Sequence, residues 1–392
     1  MTTRSISATV AVIGGGVVGA AITHTLAHRG VDVVLLESDS DLAYSASGTN
    51  SGVLHTGFDS TPGQLETELI VRSATIRPAV LEALDVPVIH AGAELVPHQP
   101  EDHDTIRGLA ENAATNGVEV SIRESDGALL VPGESVTDPV AFTLALAGSA
   151  IAAGAQVELN ARVIGAATSE DGVTLQLEDG GEVTAKLAIN SAGLHADDIA
   201  RLFGDDSFEI YPRKGEFFVF ELPDGKTLDH IVLPVPTKRT KGVLVFPTLD
   251  GHVVAGPTAV DLEDKNDWSV RPEAHTEVLE KAVANYPALE GLTPIATYAG
   301  LRPAGRDTNY VIGVSNASDK LVNVAAIRST GLSASLGIGA YVADLLPGLG
   351  IETTEQQAPT PIADRAVLQG EWWRRTANRH AAAQASTGQV QR

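Results

Sequence analysis

The sequence predicts an α/β protein in which a Rossmann-like, parallel-sheet domain is interrupted by an inserted α+β domain built on an antiparallel sheet. Three observations carry that prediction. A strand, SATVAVIG, runs into a glycine-rich turn and helix, GGVVGAAITHTLAHRG, and then into a second strand, VDVVLLES. Elements of the same kind return only after residue 138 and again after 295, so the parallel sheet must be assembled from separated pieces of chain. Between them, from 206 to about 270, RKGEFFVFE, DHIVLPVP, KGVLVFPT and GHVVAGPT read as short strands spaced by turn residues.

The remaining elements follow in order. After a polar loop, DSDLAYSASGTNSG, the stretch PGQLETELIVRSATIRPAVLEAL has helical periodicity, and TIRGLAENAATNG predicts a second helix ended by its Asn-Gly. DPVAFTLALAGSAIAAGA is a helix opened by Asp138 and Pro139. QVELNARVIGAATSEDGVTLQLEDGGEVTAKLAINSAG reads as strands joined at SEDG and EDGG. TEVLEKAVANY is a helix, TYAGLRPAGRD extended chain, and LVNVAAI a strand feeding a small-residue helix stopped at Pro347 and Gly348. The predicted organisation is a discontinuous nucleotide-binding domain (1–85, 138–205, 295–350), a substrate domain (86–137, 206–294) and a tail (351–392). The tail carries Trp372 and Trp373, which need either the body or a partner chain to cover them.

Composition narrows the function classes. The 392 residues, 43% of them hydrophobic, can build a substantial core. With no cysteine there are no disulfides, Cys-ligated zinc or iron–sulfur clusters, and no spacing of other residues suggests a metal site. Fifty acidic against twenty-seven basic residues leave a net charge of −23, which repels nucleic acid and anionic membrane surfaces. The apolar run near the N-terminus is broken by glycines and leads into a strand, so it reads as neither a signal peptide nor a membrane span. The expectation is a cytoplasmic protein, with homo-oligomerisation left open.

Gly14, Gly16 and Gly19 fit G-x-G-x-x-G between a strand and a helix, and Glu37 ends the next strand. Such glycines let the backbone turn tightly, let a pyrophosphate approach the helix N-terminus, and let helix and strand pack closely; the carboxylate takes the ribose hydroxyls. The fingerprint predicts a dinucleotide without choosing between NAD and FAD. The long excursion before the sheet resumes suits a flavoprotein with an inserted substrate lobe.

Taken together, VIGGGVVG, SASGTNSGVLHTGFDSTPGQLE, RKGEFFVF, KGVLVFPTLDGHVVAGPTA, YAGLRPAG and IRSTGLSASLGIGAYVADLL resemble the FAD-dependent D-amino-acid-oxidase-like (DAO) superfamily. The likeness is strongest to its glycerol-3-phosphate dehydrogenase/oxidase and L-2-hydroxyglutarate dehydrogenase/oxidase branch. The resemblance implies that Gly14, Gly16, Val17, Val18 and Gly19 meet the FAD pyrophosphate and Glu37 the adenosine ribose. Ser47, Thr49, Asn50 and Ser51 then flank the far side of the pyrophosphate, Val163 reaches the adenine, and Ala192 and Gly193 line the same crevice. Gly331, Leu332 and Ser333 open the last helix, where backbone N–H groups and the helix dipole suit the electron-rich end of the flavin. Ser38 and Thr49 depart from the basic residues frequent in the family.

The implied reaction oxidises the CH–OH carbon of a small anionic substrate, a polyol phosphate or an L-2-hydroxy acid such as L-2-hydroxyglutarate, by hydride transfer to flavin N5. His55, in NSGVLHTG, is the expected base because imidazole is poised near neutral pH. Arg302 is the expected clamp, a guanidinium suited to carboxylate or phosphate. Arg328 is a second anion contact, its rival role being a salt bridge within the FAD lobe. Lys214 is a further candidate, and the run Lys238, Arg239 and Lys241 offers another in Lys241. A CH–NH oxidase of the same superfamily and a non-catalytic flavoprotein are the alternatives. The electron acceptor, and whether FAD is covalently held, stay open.

Overall fold

The computed structural model describes residues 4–236, 242–362 and 371–378. Its helices are α1 (Val17–Ala27), α2 (Leu65–Ala83), α3 (Asp102–Thr115), α4 (Pro139–Ala152), α5 (Ala196–Leu202), α6 (Ala274–Asn285) and α7 (Gly331–Leu345). The helices predicted from periodicity all form, and α4 opens as expected: the Asp138 carboxylate accepts the N–H groups of Val140 (2.8 Å) and Ala141 (2.9 Å), and Pro139 starts the first turn.

A parallel sheet holds the first lobe together. Ser5–Ile13 lies between Val33–Leu36 and Glu182–Asn190, with Gln156–Glu158 beyond Val33–Leu36. Glu182–Asn190 carries antiparallel Val173–Leu177 along its first half and parallel Leu321–Ala325 along its second. Residues up to 13, the strand around 185 and that around 322 therefore meet in one sheet, as separated pieces must. Both faces are covered: Val10, Val12, Val33 and Leu35 pack under α1, α2, α4 and α7, while Ala11, Ile13, Val34 and Leu36 face the other way. Gly337 and Gly339 let α7 press against its neighbours, since a Cβ there would stand 2.1 Å from the Leu69 carbonyl oxygen and 2.8 Å from that of Ala21. The apolar stretch Gly331–Leu349 is long enough to cross a membrane by length and composition, and 67% of it is buried inside this lobe.

The second lobe is the antiparallel sheet centred on Ile210–Phe220. Residues 214, 216, 218 and 220 face the side of α6 and Arg271, and residues 213, 215 and 217 face the cleft between the lobes. Two predicted boundaries need correction. Ala296–Gly305 pairs in register with Ile210–Phe220 over ten positions, from Ile210 opposite Gly305 to Val219 opposite Ala296, so 296–305 belongs to the substrate sheet and the first lobe resumes after it. Val88–Ile89 and Ser135–Thr137, the ends of the predicted 86–137 insertion, join a small sheet with Val53–Leu54. Only Ala93–Leu95, Ser121–Ile122 and Leu129–Val131 extend the substrate sheet.

The described parts of the tail dock on the body of the chain, which covers the Trp pair. Residues 351–362 run along the end of α1, where the Thr360 N–H donates to His28 Nε2 at 2.9 Å. Further on, Trp372 and Trp373 are almost wholly buried. Trp372 packs edge-on against Tyr298 (centroids 5.5 Å apart), and the Trp373 indole donates to Asp250 at 3.1 Å. The Thr376 hydroxyl donates to the Gly48 carbonyl at 2.6 Å, tying the tail to the loop after Glu37.

Candidate active site

One cleft of about 1150 Å³ runs between the two lobes. That exceeds the roughly 300–1,000 Å³ of an ordinary small-molecule site and has room for a dinucleotide beside a small substrate. Gly14, Gly16, Val17, Val18, Glu37, Ser47, Thr49, Asn50, Ser51, Val163, Ala192, Gly193, Gly331 and Leu332 all line it.

The nucleotide end is shaped by backbone geometry. Gly14 adopts φ +108°, and a Cβ there would sit 2.5 Å from the Ser191 carbonyl oxygen, so no other residue fits this turn. Val17 N–H, in the first turn of α1, donates to Ser47 Oγ at 2.9 Å, drawing the 45–51 loop across the helix terminus. The Glu37 carboxylate accepts the N–H groups of Gly15 (2.7 Å) and Asp39 (2.8 Å), which fixes it at the rim. Neither α1 nor α7 has an acidic residue in its first turn or a side-chain cap from its N-cap residue. Two helix N-termini with no acidic residue in their first turns thus border the cleft, an arrangement that fits the pyrophosphate and flavin expected there.

At the other end, His55 is anchored from three sides. Its Nδ1 lies 2.8 Å from Glu134 Oε2, its backbone N–H donates to Ser333 Oγ at 2.8 Å, and its carbonyl accepts from Arg77 Nη2 at 3.2 Å. Glu134 is fully buried, and its other oxygen accepts both the N–H (2.7 Å) and the hydroxyl (2.9 Å) of Thr56. Arg77 also donates to the Ser333 carbonyl at 3.0 Å. Burial pulls the Arg77 guanidinium down to about 10, against the opposing pull of the Glu134 charge.

One wall of the cleft is cationic. Arg213 and Arg302 stand directly opposite one another on neighbouring strands, and Arg328 follows from the loop before α7; all three line the cleft. Like charges in direct register are destabilising in a sheet. Arg213 has Asp261 as a partner at 3.4 Å, and Arg328 makes no ion pair or hydrogen bond among the described residues. Among the described residues, the salt bridge considered for Arg328 within the FAD lobe does not form. Arg302 donates through Nε to the Arg213 carbonyl and through Nη2 to those of Lys214 and Thr258, so Nη1 is the nitrogen it can turn to a ligand. Burial, followed by the charges of Arg213 and Arg328, pulls its guanidinium down to about 10.

Three expectations are corrected by this geometry. Lys214 points away from the cleft: strand alternation sends its side chain to the α6 side, where it is buried on Asp267 (2.8 Å) and the Ser269 carbonyl (3.0 Å). Its neighbour Arg213 is the residue whose side chain lines the cleft. Gly19 does not line the cleft; a Cβ there would lie 1.9 Å from the Gly14 carbonyl oxygen, so its service is helix packing. Ser333 likewise lies behind the wall, accepting from His55 N–H and donating to the Val53 carbonyl at 3.4 Å. Lys238, Arg239 and Lys241 lie outside the described residues. Away from the cleft, Asp250, His252 and Glu371 gather ligand-type atoms within 4.8 Å of one another. Asp250 there already accepts from Trp373 and pairs with His252, so the cluster holds the tail.

Glu134, Thr56 and Arg77 were not anticipated. Glu134 is 79 positions from His55 in a short turn, VPGES, and carries no motif. Arg213 had a usable signal, since alternation along RKGEF puts Arg213 and Lys214 on opposite faces.

Residues 9–345 match the family model described as DAO, FAD dependent oxidoreductase. The chain is 28% identical over 367 residues to a glycerol 3-phosphate dehydrogenase of Caloramator mitchellensis, covering 90% of this chain and 76% of that one. It is also 28% identical over 286 residues to an L-2-hydroxyglutarate dehydrogenase of Escherichia coli, covering 69% and 68%. Its fold superposes with a TM-score of 0.83 on L-alpha-glycerophosphate oxidase of Mycoplasma pneumoniae with FAD bound, at 26% identity over 91% of this chain and 99% of that one. With glycine turn, acidic strand end and interlobe cleft all in place, the chain belongs to the DAO family of FAD-dependent oxidoreductases.

Proposed function

We propose that this FAD-dependent enzyme oxidises the CH–OH carbon of a small anionic substrate, a polyol phosphate such as glycerol 3-phosphate or an L-2-hydroxy acid such as L-2-hydroxyglutarate. The observation that carries the reading is the trio Arg213, Arg302 and Arg328 on one cleft wall of a chain with net charge −23. Two arginines opposite one another in register gain most from an anion that both can reach. The names of the relatives agree, since glycerol 3-phosphate and L-2-hydroxyglutarate each carry a secondary alcohol near an anionic group.

FAD would be held by Gly14, Gly16, Val17, Val18 and Ser47 at its pyrophosphate, Glu37 at the ribose, and Val163 at the adenine. Thr49, Asn50, Ser51, Ala192 and Gly193 would line its length, with Gly331 and Leu332 at the flavin end. Bound there, it supplies the acceptor for the hydride. The arginines hold the substrate's anionic group, and His55 takes the hydroxyl proton at Nε2, because Nδ1 is committed to Glu134. As that proton leaves, the carbon-bound hydrogen departs with its electron pair and the C–O bond becomes C=O. An alcohol needs this base, which favours CH–OH over CH–NH chemistry.

Anaerobic mixing of the yellow holoprotein with glycerol 3-phosphate, L-2-hydroxyglutarate, L-lactate and a set of amino acids tests the proposal. Bleaching by one of the hydroxy compounds supports it. Bleaching by amino acids alone transfers the protein to CH–NH oxidation, and bleaching by none of them removes the catalytic reading. Admitting oxygen to the reduced protein then separates an oxidase from a dehydrogenase that needs another acceptor.

A further inference from the structure

We propose that Glu134 is a positioning residue for His55: it holds the imidazole as the tautomer protonated on Nδ1, so that Nε2 meets the substrate hydroxyl as an acceptor. The inference rests on His55 being the base. An ionised carboxylate only accepts hydrogen bonds. Glu134 Oε1 is occupied by two donors from Thr56, the N–H at 2.7 Å and the hydroxyl at 2.9 Å. Oε2, at 2.8 Å from His55 Nδ1, then requires a proton on that nitrogen. When Nε2 takes the substrate proton, the imidazolium formed lies against a carboxylate already in place, with no reorganisation to perform.

Arg77 completes the assembly. A fully buried carboxylate needs a compensating charge; among the described residues Arg77, from α2, stands close enough for the Glu134 charge to act on its guanidinium, while Asp59, further along the same loop, lines the cleft. Arg77 donates to the carbonyls of both His55 and Ser333, while Ser333 Oγ accepts the His55 N–H. One network therefore joins the loop that carries the base to the first turn of α7, the helix end expected at the flavin. The base and the cofactor edge are held at a set separation by residues that line neither the cleft nor the substrate wall.

The test uses the holoenzyme and a substrate that bleaches it. In Glu134→Gln one amide oxygen can still serve Thr56, and the amide NH2 then faces Nδ1, which must accept; Nε2 becomes N–H and cannot take a proton. Removing the orienting carboxylate of a catalytic histidine costs about 10⁴-fold in a serine-protease triad. Anaerobic flavin reduction should therefore slow about 10²–10⁴-fold with FAD still bound and KM little changed. The acid limb of the pH–rate profile should move, and Glu134→Asp, which keeps the carboxylate, should recover part of the rate. A Glu134→Gln enzyme with the parental rate and pH profile overturns the inference. If His55→Ala is slow while Glu134→Gln is parental, only the positioning role falls; if His55→Ala is itself parental, the base assignment falls first. Should Glu134→Gln fail to hold FAD, ¹⁵N resonances of labelled histidine in the parental protein decide. A protonated Nδ1 and bare Nε2 on His55 support the tautomer, and the reverse pattern overturns it.

Discussion

Arg302 donates from Nη2 to the carbonyl of Thr258 at 2.8 Å, and this contact makes the arginine a structural tie as well as a cleft cation. Its guanidinium also holds the Arg213 and Lys214 carbonyls, so it joins three stretches of the substrate lobe. Arg302→Ala should cost twice. Orphaned carbonyls should lower stability by roughly 1–3 kcal/mol, and the substrate KM should rise. Arg328→Ala, with no hydrogen bond or ion pair to lose among the described residues, should raise KM while leaving the melting temperature near parental. Melting curves and steady-state kinetics on both variants check the contrast, and equal melting temperatures would contradict it.

His55→Ala should slow anaerobic flavin reduction by about 10²–10⁴-fold, the usual contribution of a positioned base. The deficit should be greatest at low pH and shrink as hydroxide becomes available. Stopped-flow absorbance across pH 6 to about 9 measures it, and a uniform deficit at every pH would mean that His55 acts by shape alone.

Stability should depend on pH through two buried groups of opposite sign. Burial, followed by the neighbouring His28, lowers His24 from 6.5 to about 3. Below 6.5 the unfolded chain takes up a proton that the fold refuses, so this contribution is complete above that pH and is lost as pH falls, on the order of 5 kcal/mol in all. His24→Leu should flatten the acid side of a melting-temperature profile.

Asp138 runs the other way. Burial raises it from 3.8 to about 6 despite its bonds to Ala141 and Val140. Between those values the fold keeps a proton the unfolded chain has lost, so its contribution is full below 3.8 and falls away as pH rises through 6, by on the order of 3 kcal/mol. Asp138→Asn keeps an N-cap acceptor and should abolish that slope. Melting temperatures taken between pH 4 and about 7 on the parental protein and this variant make the comparison.

Trp372→Ala should destabilise the protein by about 3–5 kcal/mol, the cost of emptying a large buried aromatic site. Trp372 backs Tyr298, which stacks on Phe217 (centroids 4.9 Å apart), and Phe217 lines the cleft. Chemical denaturation gives the loss, and a change below about 1 kcal/mol would show that the tail is only loosely docked.

Much of this molecule could be read residue by residue. Gly14, Gly16, Val17 and Glu37 act through turn geometry and a helix end, which are constraints on neighbouring residues and leave a mark in their spacing. Strand alternation is equally local; applied to RKGEF it separates Arg213 from Lys214 before any contact is known. The Ala296–Gly305 segment was legible as extended chain, but its assignment to a lobe depended on which strand its hydrogen bonds would reach, and pairing across 77 to 95 positions has no periodicity to follow. The same holds for Glu134 and Arg77. An isolated glutamate and a helical arginine look like any surface charge until the fold removes both from water, and once buried they must find each other or a donor. Glycine spacing and alternation suffice for the cofactor lobe and the identity of the cleft. The orientation of His55, the turning of Lys214 into the protein and the docking of Trp372 arise from long-range burial, where desolvation makes each polar group choose a partner that chain order does not reveal.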